Sequence, residues 1–543
     1  PECQIFDETP PPPKPELIPV YPTTQGLGQA RLRNLTRALQ HIRWPTEAGT
    51  PFEKLLYLHR PDDLRRIDEI TEALALDELC AYYVVMKRRA LKRRKQQAIA
   101  LTQKAGLGRQ LRDNLAFALT RAQSRVIRET LEDLENNVPM LRLVQGDVGS
   151  GKTIVAAFAA IRAIEHGCQT AVMAPTELLA EQHQLNFHQW LDPLGIRVAL
   201  LSGQMTAKAQ REVLADIDSG EVQVVIGTHA LFQDKVVFHK LALVIIDEQH
   251  RFGVHQRMAL QNKGTFPHQL VMTATPIPRT LTMTLYADMD VSVIDELPKG
   301  RQPITTHTAA QSKRGELIAR LEQILNQGQQ AYWVCTLIEP SDEIEALSAE
   351  EAFELLCHAL PHAKVALLHG RMKGDEKVEV MRAFKAGEYQ LLVATTVVEV
   401  GVDVPNATHM FIENAERLGL AQLHQLRGRV GRGSLASRCF LLFKPGVSQT
   451  GQHRLNALRE SQDGFYLAEQ DLKLRGPGDI LGTRQSGEQS FKIADLGEHA
   501  HLMPRVVTRS EALLTAPQGS DDHAYLLGLL NTWAASDNEH LSV

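Results

Sequence analysis

Cysteine chemistry has little to work with in this sequence. The six cysteines, Cys3, Cys80, Cys168, Cys335, Cys357 and Cys439, are scattered, with no CxxC pair and no clustered Cys/His ligands. That argues against a zinc site and a disulfide framework and fits a reducing compartment. Long apolar runs are missing as well. No stretch approaches the roughly eighteen uninterrupted apolar residues of a membrane span, and no basic-then-apolar leader opens the chain, so a cytoplasmic protein with no membrane partner is expected. Nor is positive charge in excess: the formal net charge is −5. Any grip on nucleic acid must therefore come from local basic surface.

What is present is length and pattern. The chain has 543 residues, more than one hydrophobic core usually serves, which implies three or four domains. It begins PECQIF and runs into PPPPKPE, a stiff segment typical of a connection. Residues 27–105 carry helical periodicity and few β-branched runs, as in LGQARLRNLTRALQHI. Residues 87–95 hold seven basic residues in nine, either a solvated helix face or a stripe that tracks phosphates. From about 120 short apolar runs alternate with longer helical stretches: MLRLVQ, QTAVMAPT, RVALLSG, VQVVIGTH, LALVIIDE and HQLVMTAT. A second series follows with QAYWVCTL, KVALLHG, YQLLVATTV, THMFIEN and RCFLLF. Buried parallel strands read this way, because helices cover both faces of the sheet. Two α/β domains in tandem are the simplest account. The last hundred residues lose strand character.

GDVGSGKT (146–153) fits a phosphate loop between a strand and a helix. Gly146, Gly149 and Gly151 let backbone N–H groups approach phosphates, Lys152 reaches the β/γ oxygens, and Thr153 can hold Mg²⁺. LALVIIDEQH (241–250) is an apolar strand ending in two carboxylates. Asp247 is placed to bind Mg²⁺ and Glu248 to polarise an attacking water. QLHQLRGRVGRG (422–433) sets Arg429 and Arg432 three apart, hence on one helix face. Two guanidinium groups on the second domain would stabilise γ-phosphate charge only when the domains close. Finally, LRGPGDILGTRQSG (474–487) carries four glycines and a proline, which rule out a helix interior, with two arginines and a glutamine at fixed places among them.

The phosphate loop, APTELLAEQ (174–182), GTHAL (227–231), DEQH (247–250), TATPIPRT (273–280), HGRM (369–372), ATTVVEVGVDVPNA (394–407) and QLHQLRGRVGRG together resemble the ordered motif set of superfamily 2 helicases. DEQHRFGVHQR (247–257), SVIDELPKGR (292–301) and the 474–487 loop narrow the resemblance to the RecG family of bacterial ATP-dependent DNA helicases. It extends over about residues 20–495. The implied fold is α/β, two tandem RecA-like P-loop domains with a helical N-terminal linker module and a C-terminal helical hairpin and loop. The implied domains are a residual segment at 1–26 following a wedge domain, the linker module at 27–112, motor domains at 113–302 and 303–445, and the hairpin, loop and helical tail at 446–543. The first segment implies a chain that begins just after the wedge.

The resemblance also implies roles. Phe117 and Gln123 of LAFALTRAQ (115–123) fall in the adenine-reading segment, and Asp403 falls on the acid that contacts ribose. Gln425 matches the glutamine beside the arginine fingers. His250, Thr273 and Thr275 would link nucleotide state to DNA contacts, and Pro175, Thr176, Gly227, Thr228 and Thr395 would hold a DNA backbone. The hairpin at about 447–474 and the glycine-rich loop look like a translocation motif, shared in looser form with the transcription-repair coupling factor. There Arg475, Arg484 and Gln485 would pass cleft closure to DNA movement; a structural loop packing on the second motor domain is the plainer alternative. The expected activity is ATP- and Mg²⁺-dependent translocation on duplex and branched DNA, at stalled forks and in branch migration, by a monomer that meets single-strand-binding protein. Two alternatives stay open: an RNA-remodelling helicase of the same superfamily, and a nucleotide-dependent binding scaffold without turnover.

Overall fold

A computed structural model of the chain describes residues 17, 19–22, 27–39, 41–42, 51–104, 106–203, 205–248, 263, 266–275, 277–278, 282, 287–298, 302–336, 342–395, 404–433, 435–475 and 491–534. Helices dominate the beginning: α1 (Gln29–Leu39), α2 (Phe52–Leu58), α3 (Leu64–Arg94), α4 (Leu107–Asn114) and α5 (Arg121–Leu134). Thr120 starts α5 with a capping box. Its hydroxyl accepts from Gln123 N at 3.1 Å while Gln123 Oε1 accepts from Thr120 N at 2.9 Å, which meets two donors the helix start would otherwise leave unpaired.

The first sheet begins with β1 (Leu141–Gly146) and continues through α6 (Lys152–Ile164), β2 (Gln169–Met173), α7 (Glu177–Leu191), β3 (Val198–Leu201), α8 (Ala207–Ser219), β4 (Val224–Gly227), β5 (Leu241–Asp247), β6 (His268–Thr273) and β7 (Asp290–Ile294). Its strands run in the order β3-β4-β2-β5-β6-β1-β7, and the pairs are parallel. Period-two alternation splits its apolar residues between two cores. Val172, Ile245 and Leu270 pack with α6 on one face, and Ala171, Val244 and Ile246 pack on the other. Each valine, leucine or isoleucine among them contributes about 1.5–3 kcal/mol on full burial.

The second sheet is built from β8 (Thr305–Ala310), α9 (Arg314–Asn326), β9 (Gln330–Val334), α10 (Asp342–Ala359), β10 (Val365–Leu368), α11 (Gly374–Lys385), β11 (Leu391–Ala394), β12 (Ala407–Ile412), α12 (Leu420–Arg427) and β13 (Arg438–Phe443). The order is β10-β11-β9-β12-β13-β8, again parallel. A hairpin of α13 (Gln449–Glu460) and α14 (Gly464–Arg475) follows, then α15 (Met503–Leu514) and α16 (Asp521–Trp533). The eleven apolar runs of the sequence all become strands. Two further strands, β7 and β8, were not anticipated, for a physical reason: each is a sheet edge. Asp290 and Val291 are exposed in β7, and β8 reads TTHTAA, so neither carries an apolar run.

The chain divides into two compact units. The larger, residues 89–282 and 286–488, holds both sheets and the α13–α14 hairpin. The smaller comprises residues 1–88, 283–285 and 489–543. In it, the buried Glu78 of α3 accepts three backbone N–H groups, from Lys492 at 2.6 Å, Ile493 at 2.9 Å and Ala494 at 2.8 Å. Beside it Asp77 pairs with Lys54 at 2.6 Å and accepts from the Tyr525 hydroxyl at 2.5 Å. In the basic run at 87–95, Arg93 donates to Asp288 O at 2.6 Å, while Lys92, Arg94 and Lys95 are exposed.

Candidate active site

Strand order brings the chemistry together. Because β5, β6 and β1 are neighbours, Asp247 at the end of β5, Thr273 at the end of β6 and the loop leaving β1 share one rim of the sheet. In that loop Gly151 adopts φ 86°, a left-handed backbone open to glycine at little cost. A Cβ there would lie 2.2 Å from Gln123 Nε2. The amide needs that space, since Gln123 Nε2 donates to Ser150 O at 2.8 Å. Gln123 thus braces the loop and caps α5 while bordering the cleft. Lys152 is buried and donates to Gly146 O at 2.7 Å and Asp147 O at 3.0 Å. Burial holds its ammonium below the usual lysine range, against the pull of Glu248, Asp247 and Asp147.

Asp247 Oδ2 meets His183 Nε2 at 2.8 Å, a contact between α7 and β5 that motif reading missed. Glu248 sits at φ 53°, unusual for a residue with a side chain. It is held there by its N–H on Met272 O at 2.9 Å and by Ala274 N donating to Oε1 at 3.0 Å. The Thr273 hydroxyl lies 3.5 Å from Glu248 Oε2 and 2.7 Å from the Thr275 hydroxyl. The TAT segment is therefore bonded to Glu248. Burial, reinforced by the neighbouring Asp247, pushes the Glu248 carboxyl up to about 7.

The second sheet supplies the facing wall. One expectation is corrected here: Arg429 and Arg432 do not lie on a helix face. Helix α12 stops at Arg427 with Gly428 as its cap, and the arginines occupy the turn that follows. Between the arginines Gly431 at φ 75° turns the backbone out of helical geometry, with Ile304 2.9 Å from where a Cβ would be. Gln425, Arg429 and Arg432 nevertheless line the same cleft as Lys152, Asp247 and Glu248, a space of about 570 Å³ within the range of small-molecule sites. Two contacts cross it at the phosphate loop. His424 Nε2 lies 2.6 Å from Asp147 Oδ1, and a Cβ on Gly428 would be 2.9 Å from Val148 Cβ. Phe117, 46% exposed, borders the cleft. So do Gln182, the last residue of APTELLAEQ, and Asn186 and Trp190, which lie beyond the motif. Their spacing of four along α7 was the available signal.

The remaining expected residues divide. Gly146 ends β1, and a Cβ on it would strike Ser150 Oγ at 2.5 Å; Gly149 has φ 76° and, with Thr153, lines the cleft. Pro175 also borders the cleft, and Thr176 caps α7 by accepting from Leu179 N at 3.3 Å. Gly227, Thr228 and Thr395, expected on DNA, are buried in this conformation. Gly227 approaches Leu201 O, Thr228 donates to Glu177 Oε1 at 3.1 Å, and the Thr395 side chain is fully covered. Arg475 is the last residue of α14. His250, Asp403, Arg484 and Gln485 lie outside the described residues.

The residues present fit Mg·ATP. The left-handed glycines keep the loop clear for phosphate oxygens, and α6 begins at the loop with its N–H groups unpaired by the helix. The Thr153 hydroxyl and Asp247 carboxylate are hard oxygen donors of the kind Mg²⁺ takes alongside phosphate.

Comparison with known proteins agrees with this geometry. A DEAD/DEAH box helicase model matches residues 120–284, a helicase conserved C-terminal domain matches 316–434, and the model "ATP-dependent DNA helicase RecG, domain 3, C-terminal" matches 461–527. The chain is 53% identical over 514 residues to the ATP-dependent DNA helicase RecG of Escherichia coli (strain K12), covering 90% of this chain and 74% of that protein. With the Pasteurella multocida protein of the same name, identity is 51% over 531 residues, covering 93% and 77%. Among solved structures, that of RecG bound to a three-way DNA junction superposes with a TM-score of 0.72 at 38% identity, covering 90% of this chain and 66% of that one. No described helix is long and apolar enough to cross a membrane.

Proposed function

The chain belongs to the RecG family of ATP-dependent DNA helicases, and from that premise we propose how its residues divide the work. ATP occupies the cleft between the two sheets. Phe117 and Gln123 border the base, the backbone of 146–151 cradles the phosphates, and Lys152 exchanges its two carbonyl partners for phosphate oxygens. Mg²⁺, when bound, neutralises phosphate charge, with Thr153 and Asp247 as its protein ligands. Glu248 takes a proton from the attacking water, and its carboxyl, pushed up to about 7, is matched to that task. Arg429 and Arg432 offset charge on the transferring phosphoryl group, with Gln425 beside them. Thr273, bonded to Glu248, and Thr275, bonded to Thr273, pass the state of the cleft outward, and Arg475, Arg484 and Gln485 carry it to DNA.

A single observation carries this reading: the acids and lysine of the first sheet and the arginines of the second line one cleft. The DNA reading rests on the relative solved with a three-way junction, and duplex and branched DNA are the substrates proposed here. One chain supplies both walls, so a monomer suffices for hydrolysis; single-strand-binding protein is the protein partner the family suggests. The test is ATP hydrolysis with no nucleic acid, linear duplex, a three-way junction and structured RNA at matched salt, since backbone affinity is electrostatic. Stimulation by duplex and junction but not RNA is expected. Stimulation by RNA alone, or by none, would overturn the assignment.

A further inference from the structure

We infer that His424 is a positioning residue for hydrolysis, holding the arginine-bearing turn against the phosphate loop through Asp147. The inference rests on the proposed role of Arg429. His424 lies on α12, one residue before Gln425, and is 5% exposed. Its ring is bonded on both sides: Nε2 to Asp147 Oδ1 at 2.6 Å, and Nδ1 to Arg427 Nη2 at 2.8 Å. A guanidinium only donates. Nδ1 is therefore the acceptor, and the hydrogen sits on Nε2, directed at the carboxylate. Arg427 cannot turn away easily, because its Nη1 donates to Leu458 O at 2.6 Å and Ser461 O at 2.8 Å and the side chain is 2% exposed.

Asp147 joins two functions in one residue. Its carbonyl receives Lys152 Nζ at 3.0 Å, and its Oδ1 receives Val148 N at 2.6 Å as well as His424. The main chain of Asp147 thus holds the lysine of one wall while its side chain holds the helix that leads into the arginines of the other. An ion pair between α11 and α7, Arg382 to Glu181 at 2.7 Å, has an arginine side chain 65% exposed, and pairs in water hold geometry weakly. The buried histidine fixes the distance at which Arg429 and Arg432 stand when the cleft is shut.

The test uses the full chain with Mg·ATP and a three-way DNA junction, comparing His424→Ala, His424→Gln and Arg429→Ala. Glutamine offers an N–H toward Asp147 and a carbonyl oxygen toward Arg427, preserving the donor and acceptor order. His424→Ala is expected to lower kcat about tenfold, the scale of one hydrogen bond to a charged group, with KM for ATP and affinity for a fluorescent ADP within about twofold of the parent. His424→Gln is expected to recover most of the loss. Equal activity of the alanine and glutamine variants, or a loss carried by KM, would overturn the inference. Arg429→Ala separates the two levels: if it abolishes hydrolysis while the His424 variants match each other, only the role of His424 fails, whereas full activity of Arg429→Ala removes the reading beneath it. If thermal melting shows His424→Ala unfolded, Asp147→Asn against Asp147→Ala decides in its place, since asparagine keeps the acceptor. Matching losses there overturn the inference as well.

Discussion

Glu248 holds a left-handed backbone and a half-buried carboxyl beside Asp247 at the cleft, a costly arrangement kept by bonds to Met272 and Ala274. Replacing Glu248 by Gln removes the base while leaving the loop and its lysine in place. We expect a fall in kcat of about 10²–10⁴-fold, with binding of a fluorescent ATP analogue retained. Gly151→Ala acts differently. Its φ of 86° costs a side chain about 1–2 kcal/mol, and the new methyl displaces Gln123. Both losses should appear as a lower urea midpoint and weaker nucleotide binding. A third prediction concerns His409, where burial and the nearby Arg438 and Arg320 push the imidazole down to about 4 from its usual 6.5. The unfolded chain then binds the extra proton first as pH drops. His409 therefore adds stability above pH 6.5 that is lost between about 6.5 and 4. Calorimetry across that window should show the melting temperature falling as pH falls, less so in His409→Gln.

Among elements, the α13–α14 hairpin is tied to α12 at two points. Arg427 reaches the carbonyls of Leu458 and Ser461, and Asp471 Oδ1 accepts from Leu420 N at 3.1 Å. Asp471→Ala strips the cap from α12 and should cost about 1–2 kcal/mol in denaturant unfolding, whereas Asp471→Asn keeps an acceptor and should cost less. The central strands were legible because both faces are buried and composition records it: LALVIIDE can hardly be anything else. β8 was illegible for the same reason reversed, since TTHTAA at an edge needs no apolar run. The phosphate loop and the acid pair could be read because their chemistry is local in sequence. His183 on Asp247 and His424 on Asp147 could not, since each pairs side chains 64 and 277 positions apart and no spacing rule reaches so far. The arginine turn was misread as helix because three-residue spacing says nothing about Gly428 and Gly431 between and before the arginines.

Across the whole larger unit, two sheets meet with glycine at the seam. A side chain at position 428 would press on Val148. Gly428→Leu should therefore wedge the walls apart, lowering DNA-stimulated hydrolysis about tenfold or more, as expected when a catalytic group is misplaced by about an ångström, while calorimetry still shows cooperative melting. The parallel order of both sheets has another consequence. The catalytic groups of the first sheet, Lys152, Asp247 and Glu248, leave the carboxyl ends of its strands, so its helix-to-strand turns gather on the opposite rim. At Gly167, before β2, and Gly328, before β9, nothing lies within 4 Å of where a side chain would project. Those two turns are natural places to attach a donor and an acceptor dye, one on each sheet, so that opening and shutting of the cleft can be watched by energy transfer in single molecules without touching the parts that do the work.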